Sequence, residues 1–150
     1  MYNKEFMNLI IQKAKEEKKD IPVCALISRG SEIISIKINK KEQDNDVTSH
    51  AEILAIKEAS KKLNNWRLED CDIYVTLEPC PMCGWAIISS RFKNLYFGSY
   101  DYKYGAFSTG LNLKAFANST LNIEGGKKEA ECDKILKDYF ESLRYEKTAG

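Results

Sequence analysis

The sequence has few of the features that mark membrane, secreted or strongly nucleic-acid-binding proteins. It contains three prolines and one histidine, and no apolar run approaches the roughly 18 residues that a membrane-spanning helix needs. The 23 Lys and Arg residues nearly balance the 22 Asp and Glu residues, so the formal net charge is +1 and any basic surface must be local. The start of the chain carries charges where a signal peptide needs an apolar stretch. We therefore expect a cytoplasmic protein that does not associate with membranes.

The cysteines are odd in number, which argues against a disulfide framework. There are five: Cys24, Cys71, Cys80, Cys83 and Cys132. Because the expected compartment is reducing, metal binding by some of the thiols is a better explanation than disulfide pairing. The length of 150 residues suits one domain, residues 1–150, with one core.

Hydrophobic periodicity predicts a short hairpin followed by alternating helices and strands. Helices are predicted over about 2–18, over 49–63, from 81 onward and over about 127–147; strands are predicted over 23–28, 32–38, 72–76, 94–97 and 121–124. Gly98 is expected to end the strand at 94–97. This order predicts a three-layer α-β-α fold, with a mixed sheet of about five strands and helices on both faces.

The strongest chemical signal is Pro79-Cys80-Pro81-Met82-Cys83. Two thiolates separated by two residues can hold one metal ion from a tight turn that enters a helix. A redox pair or two buried cysteines are the alternatives on this spacing alone.

The second signal is His50-Ala51-Glu52, which contains the only histidine of the chain. A lone histidine is more often structural than a metal ligand. Glu52 also has a structural explanation, because Ser49 and Glu52 fit the Ser-x-x-Glu capping box that begins helices.

The two signals together favour a catalytic zinc site. His50, Cys80 and Cys83 suit zinc, and three protein ligands leave one coordination position for water, whereas a structural site needs four. Both ligand groups lie at predicted helix starts, where the helix dipole favours thiolate. Glu52 lies two residues from a ligand and can move protons for the reaction. His-x-Glu followed by Pro-Cys-x-x-Cys is the pattern of zinc-dependent nucleobase deaminases, with one zinc ion per subunit.

Beyond this pattern, the sequence resembles the bacterial tRNA-specific adenosine deaminases of the cytidine deaminase-like superfamily over nearly the whole chain. The resemblance is densest at 48–53, at 74–91, which includes Thr-Leu-Glu-Pro-Cys-x-Met-Cys, at Phe97-Gly98, at Asp101-x-Lys103-x-Gly105-Ala106 and at 138–140. It implies a cytidine deaminase-like fold and a homodimer. It also implies conversion of adenosine to inosine at the wobble position of a tRNA anticodon.

The resemblance further implies substrate contacts outside the zinc motif. Asn39 matches the asparagine that binds the target base, Asp101 and Lys103 match the loop that meets the anticodon loop, and Phe140 matches an aromatic residue near the bound RNA. Each has a structural alternative: a strand-ending turn for Asn39, a solvated turn for Asp101 and Lys103, and helix core for Phe140. Cys24 departs from the family pattern, which usually has glycine there, and a small buried residue is its simplest interpretation.

Two other functions remain open at this point. A deaminase of a free base or nucleoside, such as guanine or cytosine, would share the entire zinc motif. A non-catalytic zinc-binding partner subunit is disfavoured because Glu52 is present.

Overall fold

The computed structural model describes residues 1–149 and contains one mixed five-stranded sheet with helices on both faces, which confirms the predicted α-β-α architecture. The helices are α1 (Lys4–Glu16), α2 (Ala51–Lys62), α3 (Pro81–Ser89), α4 (Leu113–Phe116) and α5 (Glu129–Ala149). The strands are β1 (Cys24–Arg29), β2 (Glu32–Ile38), β3 (Asp72–Leu77), β4 (Asn94–Ser99) and β5 (Asn122–Glu124). In residues 1–149, no helix is both long enough and apolar enough to cross a membrane.

The sheet has the order β2-β1-β3-β4-β5. Strand β1 is antiparallel to β2 and to β3, whereas β3, β4 and β5 are parallel. Gly30, with φ of +61°, forms the tight turn between β1 and β2. In this topology the C-terminal ends of β2 and β3 lie beside the start of β1, at one end of the strands. Helix α3 begins directly beyond β3 at the same end.

Alternation along the strands divides the core between the two faces. In β1, Ala25 and Ile27 face α2 and α3, whereas Cys24 and Leu26 face α1 and α5. All four are fully buried. Helices therefore cover both faces of the sheet, and the loops at the ends of the strands are left to carry a site.

The four-residue helix α4 was not predicted, and the bounds of β4 and α1 differ from the prediction. Strand β4 does not end at Gly98 but continues to Ser99. A Cβ at Gly98 would lie 2.3 Å from Sγ of Cys132, so this glycine allows α5 to pack closely on β4. Helix α1 begins at Lys4 because the Asn3 side chain accepts a hydrogen bond from the N–H of Glu5 and caps it.

Candidate metal centre and active site

The structure brings His50, Cys80 and Cys83 together beyond the C-terminal end of the central strand β3. Their ligand atoms all lie within 4.8 Å of one another. Nδ1 of His50 is 3.7 Å from Sγ of Cys80 and 3.5 Å from Sγ of Cys83. A tetrahedral zinc ion with ordinary Zn–S and Zn–N bond lengths holds such N and S atoms about 3.6 Å apart. The donor set and its spacing therefore fit zinc, with Nδ1 as the histidine ligand atom.

Two helix starts position these side chains. His50 is the N-cap of α2 and Cys80 is the N-cap of α3, both with extended backbone, and neither side chain caps its own helix. Pro81 occupies the first position of α3, where a missing N–H costs nothing. The N–H of Gly84 donates to the Cys80 carbonyl at 2.7 Å, which closes the turn that brings Cys83 beside Cys80. Both side chains of the pair thus lie at a positive helix end, which stabilises thiolate.

The contact between the two thiols moves their pKa values in opposite directions. A hydrogen bond from Cys83 lowers the pKa of Cys80 to about 4, and His50 acts in the same direction. The same contact with Cys80, together with burial, raises the pKa of Cys83. A metal ion binds cysteine as thiolate, so a dication that binds both sulfur atoms must displace any proton that they carry.

Glu52 lies beside this cluster, on the first turn of α2, and is 4% exposed. Burial raises its pKa to about 7, while the hydrogen-bond interaction with Cys83 acts in the opposite direction. The capping-box explanation of Glu52 is wrong, because the N-cap of α2 is His50 and the Ser49 hydroxyl donates to Asp44 instead. A buried carboxyl that titrates near neutrality is suited to taking and returning a proton.

The remaining cysteines lie away from the metal donors. Cys24 and Cys132 belong to the core between the sheet and helices α1 and α5, on the opposite face from α2 and α3. Cys71 precedes β3, at the opposite end of that strand from Cys80. All five cysteines are free, as the sequence predicted. Within residues 1–149, the donor group therefore contains three residues.

Asn39 lies directly after β2 and is 8% exposed. Its Nδ2 donates to the Ile21 carbonyl at 3.3 Å, and its Oδ1 accepts from the N–H of Lys41 at 3.2 Å. These bonds fix the turn, and they leave one amide hydrogen and one oxygen lone pair of Asn39 free. The next residue, Lys40, donates its N–H to the Ser49 carbonyl at 3.0 Å, which connects this turn to the His50 segment.

Asp101 and Lys103 begin the loop 101–108 between β4 and α4. Oδ1 of Asp101 accepts from the N–H groups of Lys103 and Tyr104, so its carboxylate shapes the turn. The Lys103 ammonium lies 5.1 Å from the centroid of the Tyr104 ring. Tyr102 is 76% exposed and stacks on Tyr100 with an interplanar angle of 10°. The loop thus presents flat aromatic faces and a cation to solvent.

Phe140 lies on α5, which packs with α1 against the face of the sheet opposite the metal donors. Its ring is 44% exposed and makes an edge contact with Tyr139 at 5.3 Å. The helix-core alternative therefore does not describe it. His50, Cys80 and Cys83 lie at the starts of α2 and α3. Phe140 is on α5 and is not part of that cluster.

Glu78 was not predicted to have a role, although it lies inside the Thr-Leu-Glu-Pro-Cys-x-Met-Cys segment. Glu78 is 2% exposed and precedes Pro79 and Cys80. Its carboxylate accepts four hydrogen bonds, all from the loop 101–108. The available signal was a charged residue between a buried strand and a metal ligand, where burial demands partners.

Comparison with known proteins identifies the family of the chain. The family model described as MafB19-like deaminase matches residues 2–144. A tRNA-specific adenosine deaminase of Bacillus subtilis is 40% identical over 149 residues, covering 97% of this chain and 92% of the relative.

Two solved structures are also similar. One comes from work on A-to-I editing by tRNA:A34 deaminases at the wobble position of transfer RNA; it has a TM-score of 0.85 and 35% identity, and the match covers 89% of this chain and all of that one. A guanine deaminase from Bacillus subtilis has a TM-score of 0.63 and 35% identity, covering 67% of this chain and 66% of that one. The chain therefore belongs to the MafB19-like deaminase family and to the family of tRNA-specific adenosine deaminases.

Proposed function

We propose that the protein is a zinc-dependent hydrolase that deaminates adenosine to inosine at the wobble position of a tRNA anticodon. The observation that carries the proposal is the cluster of His50, Cys80 and Cys83 beside the buried carboxyl of Glu52. The tRNA-specific adenosine deaminase of Bacillus subtilis supports the tRNA substrate, because its similarity extends over 97% of this chain. We further propose that residues 1–150 form a single deaminase domain.

In this proposal His50, Cys80 and Cys83 hold one zinc ion per subunit. The chemistry that zinc supplies when bound is Lewis acidity, which makes water acidic enough to serve as a hydroxide source near neutral pH. Both sulfur atoms belong to the start of α3, where the helix dipole favours the thiolate form that binds a metal ion.

Glu52 is the proposed proton shuttle. Replacing an amino group by oxygen requires the attacking water to lose a proton and the departing amine to gain one. The Glu52 carboxyl lies beside the ligand Cys83, and its pKa of about 7 allows it to accept the first proton and then donate it. Burial excludes bulk water that would otherwise compete for this proton.

Asn39 is the proposed contact to the target base. Its free amide hydrogen and free lone pair can pair with the edge of a purine, and its two internal hydrogen bonds fix the orientation of the amide. We propose Asp101, Lys103 and Phe140 as contacts to the surrounding anticodon loop. Aromatic faces such as that of Tyr102 would stack on splayed bases, each contributing about 1–3 kcal/mol.

A basic groove beside the site supports an RNA partner. This groove, of about 400 Å³, lies between α2 and the edge strand β2 and has the ionisable lining residues Lys37, Lys40, Asp44, Lys57, Glu58, Lys61 and Lys62. Five lysines and two acids give it a net charge of +3, whereas the entire chain carries +1. The groove is therefore more positive than the chain as a whole, which suits contact with a phosphate backbone.

We also propose that the protein is a homodimer. The exposed side chain of Trp85 on α3 lies 6.2 Å, between ring centroids, from Phe116, which is 78% exposed. Together with Met82 these residues form an exposed apolar patch, of the kind that marks protein–protein interfaces.

Guanine deamination is the second candidate function, because a guanine deaminase is 35% identical over two thirds of this chain. The two are separated by assaying an anticodon stem-loop, free adenosine, guanine and cytosine side by side at equal concentration. We expect rapid inosine formation in the stem-loop and much slower turnover of the free compounds. Turnover of guanine without turnover of the stem-loop would replace the tRNA assignment with the second candidate.

A further inference from the structure

We propose that Glu78 is a positioning residue that fixes the loop 101–108 in its RNA-binding conformation and joins that loop to the metal-ligand turn. This proposal rests on the proposed function, since it assigns the loop to the RNA substrate. It goes further by naming the group that holds the loop in place.

The first observation is the hydrogen bonding of the Glu78 carboxylate. Oε1 accepts from the N–H of Asp101 at 3.0 Å and from the hydroxyl of Ser108 at 2.5 Å. Oε2 accepts from the N–H of Phe107 at 3.0 Å and from the N–H of Ser108 at 2.8 Å. Both ends of the loop are therefore tied to one carboxylate.

The second observation is how closely the loop surrounds that carboxylate. A Cβ at Gly105 would lie 2.4 Å from Cδ and Oε2 of Glu78 and 2.4 Å from the Asp101 carbonyl oxygen. Only glycine allows this approach, because any side chain would displace the carboxylate or the backbone. The close contact between the loop and the carboxylate therefore depends on Gly105 as well as on Glu78.

The third observation is the absence of a cation. Within residues 1–149, Glu78 has no partner among the ion pairs, so its charge is balanced by the four loop donors alone. A buried carboxylate held only by hydrogen bonds is costly to place, and losing any donor exposes that cost. This arrangement opposes opening of the loop.

The fourth observation is the connection to the metal donors. Glu78 is two residues before Cys80, and the N–H of Ala106 donates to the carbonyl of the intervening Pro79 at 2.9 Å. The loop is therefore anchored to the same turn that carries a ligand. We infer that a base held by the loop is placed in a fixed position relative to the metal donors.

The test compares Glu78→Gln with the wild type on an anticodon stem-loop that has adenosine at the wobble position. The amide keeps the shape of the side chain, but in either orientation its N–H₂ group faces at least one backbone N–H of the loop, either that of Asp101 or those of Phe107 and Ser108. We expect KM to rise about tenfold while kcat changes less than about threefold, because the loop binds substrate and does not move protons. Ser108→Ala removes a single donor and should raise KM by a smaller factor in the same direction.

Limited trypsin digestion gives a readout that does not depend on activity. Lys103 is exposed within the loop, so its cleavage should be faster in Glu78→Gln while zinc content stays near one per chain. The matched control is Asn94→Ala, which removes part-buried hydrogen bonds to Asp72 and Asn122 at the opposite end of the strands. The control should lower thermal stability without changing KM or cleavage at Lys103.

Unchanged KM and unchanged cleavage in Glu78→Gln would overturn the proposal, as would an equal rise of KM in Asn94→Ala. If the wild-type protein does not deaminate the stem-loop, the proposed function fails. The trypsin comparison then still decides whether Glu78 holds the loop.

Discussion

The hydroxyl of Ser49 donates to Oδ2 of Asp44 at 2.9 Å, although its sequence position fits the cap of helix α2. Asp44 belongs to the loop that follows Asn39, so this bond connects that loop to the residue before His50. It also leaves Glu52 out of any capping box, and the carboxyl remains buried beside the metal donors. The departure from a common helix-start pattern is what makes Glu52 available for chemistry.

Replacing Glu52 by Gln should abolish nearly all turnover while the fold and zinc content are retained. The amide has a similar shape but cannot carry a proton, and loss of general acid–base catalysis costs about 10²- to 10⁴-fold in kcat. Inosine formation and metal content should be measured together, with exposed Glu16→Gln on α1 as the control. Substantial activity in a folded, metal-loaded Glu52→Gln protein would assign the proton transfer to another group.

Replacing Cys83 by Ala should sharply lower bound zinc, from about one ion per chain in the metal-replete protein. Two donors, His50 and Cys80, cannot match the affinity of three, and the remaining thiolate loses the partner that stabilises it. Elemental analysis measures the stoichiometry. The buried thiol of Cys24, on the other face of the sheet, provides the control: Cys24→Ala should keep its zinc. Equal zinc in Cys83→Ala and the wild type would remove Cys83 from the site.

The parts of the site that the sequence predicted are close together along the chain. Cys80 and Cys83 are three residues apart, and His50 and Glu52 two, so a short pattern carries their chemistry. The partners of Glu78 lie 23 to 30 residues away and are backbone N–H groups except for the Ser108 hydroxyl. Residue identity gives no sign of such contacts, because every non-proline residue has an N–H.

The same reasoning applies to the fold. The hairpin and the two following helix–strand alternations, α2-β3 and α3-β4, have regular periodicity and were predicted. The extension of β4 through Gly98 depends on close packing against Cys132, which is distant in sequence. Helix α4 has only four residues and was not predicted, because one turn is too short for a periodic pattern.

Replacing Trp85 by Glu should shift the protein from dimer to monomer. A charge placed in the apolar patch with Phe116 would be desolvated at an interface but harmless in a monomer, since Trp85 is 47% exposed. Sedimentation velocity at micromolar concentration measures the change. Trp66 is 53% exposed and lies after α2, so Trp66→Glu is a matched control that should remain dimeric. A wild-type protein that sediments only as a monomer would contradict the dimer itself.

Reversing the charges of Lys57 and Lys61 should weaken binding of the anticodon stem-loop and reduce its salt dependence. Glu58 already pairs with Lys37 and Lys62 at 2.8 Å, whereas Lys57 and Lys61 form no ion pair in the described part of the chain. Together with exposed Lys40, which adjoins the Asn39 turn and is left unchanged in this variant, they are the groove lysines available to phosphate. If each contacts one phosphate, the slope of log Kd against log salt concentration should fall by about 1.4, because a single-strand contact contributes about 0.7.

The matched control for this pair is Lys4→Glu with Lys93→Glu. Both residues are exposed. Lys4 begins α1 and Lys93 directly precedes β4, at the opposite end of the strands from the site. This double variant has the same net charge as Lys57→Glu with Lys61→Glu, so any effect of total charge is common to both. Binding is measured by fluorescence anisotropy at several salt concentrations. Equal slopes in the two double variants would mean that the groove does not contact the RNA backbone, and that the weaker binding reflects net charge alone.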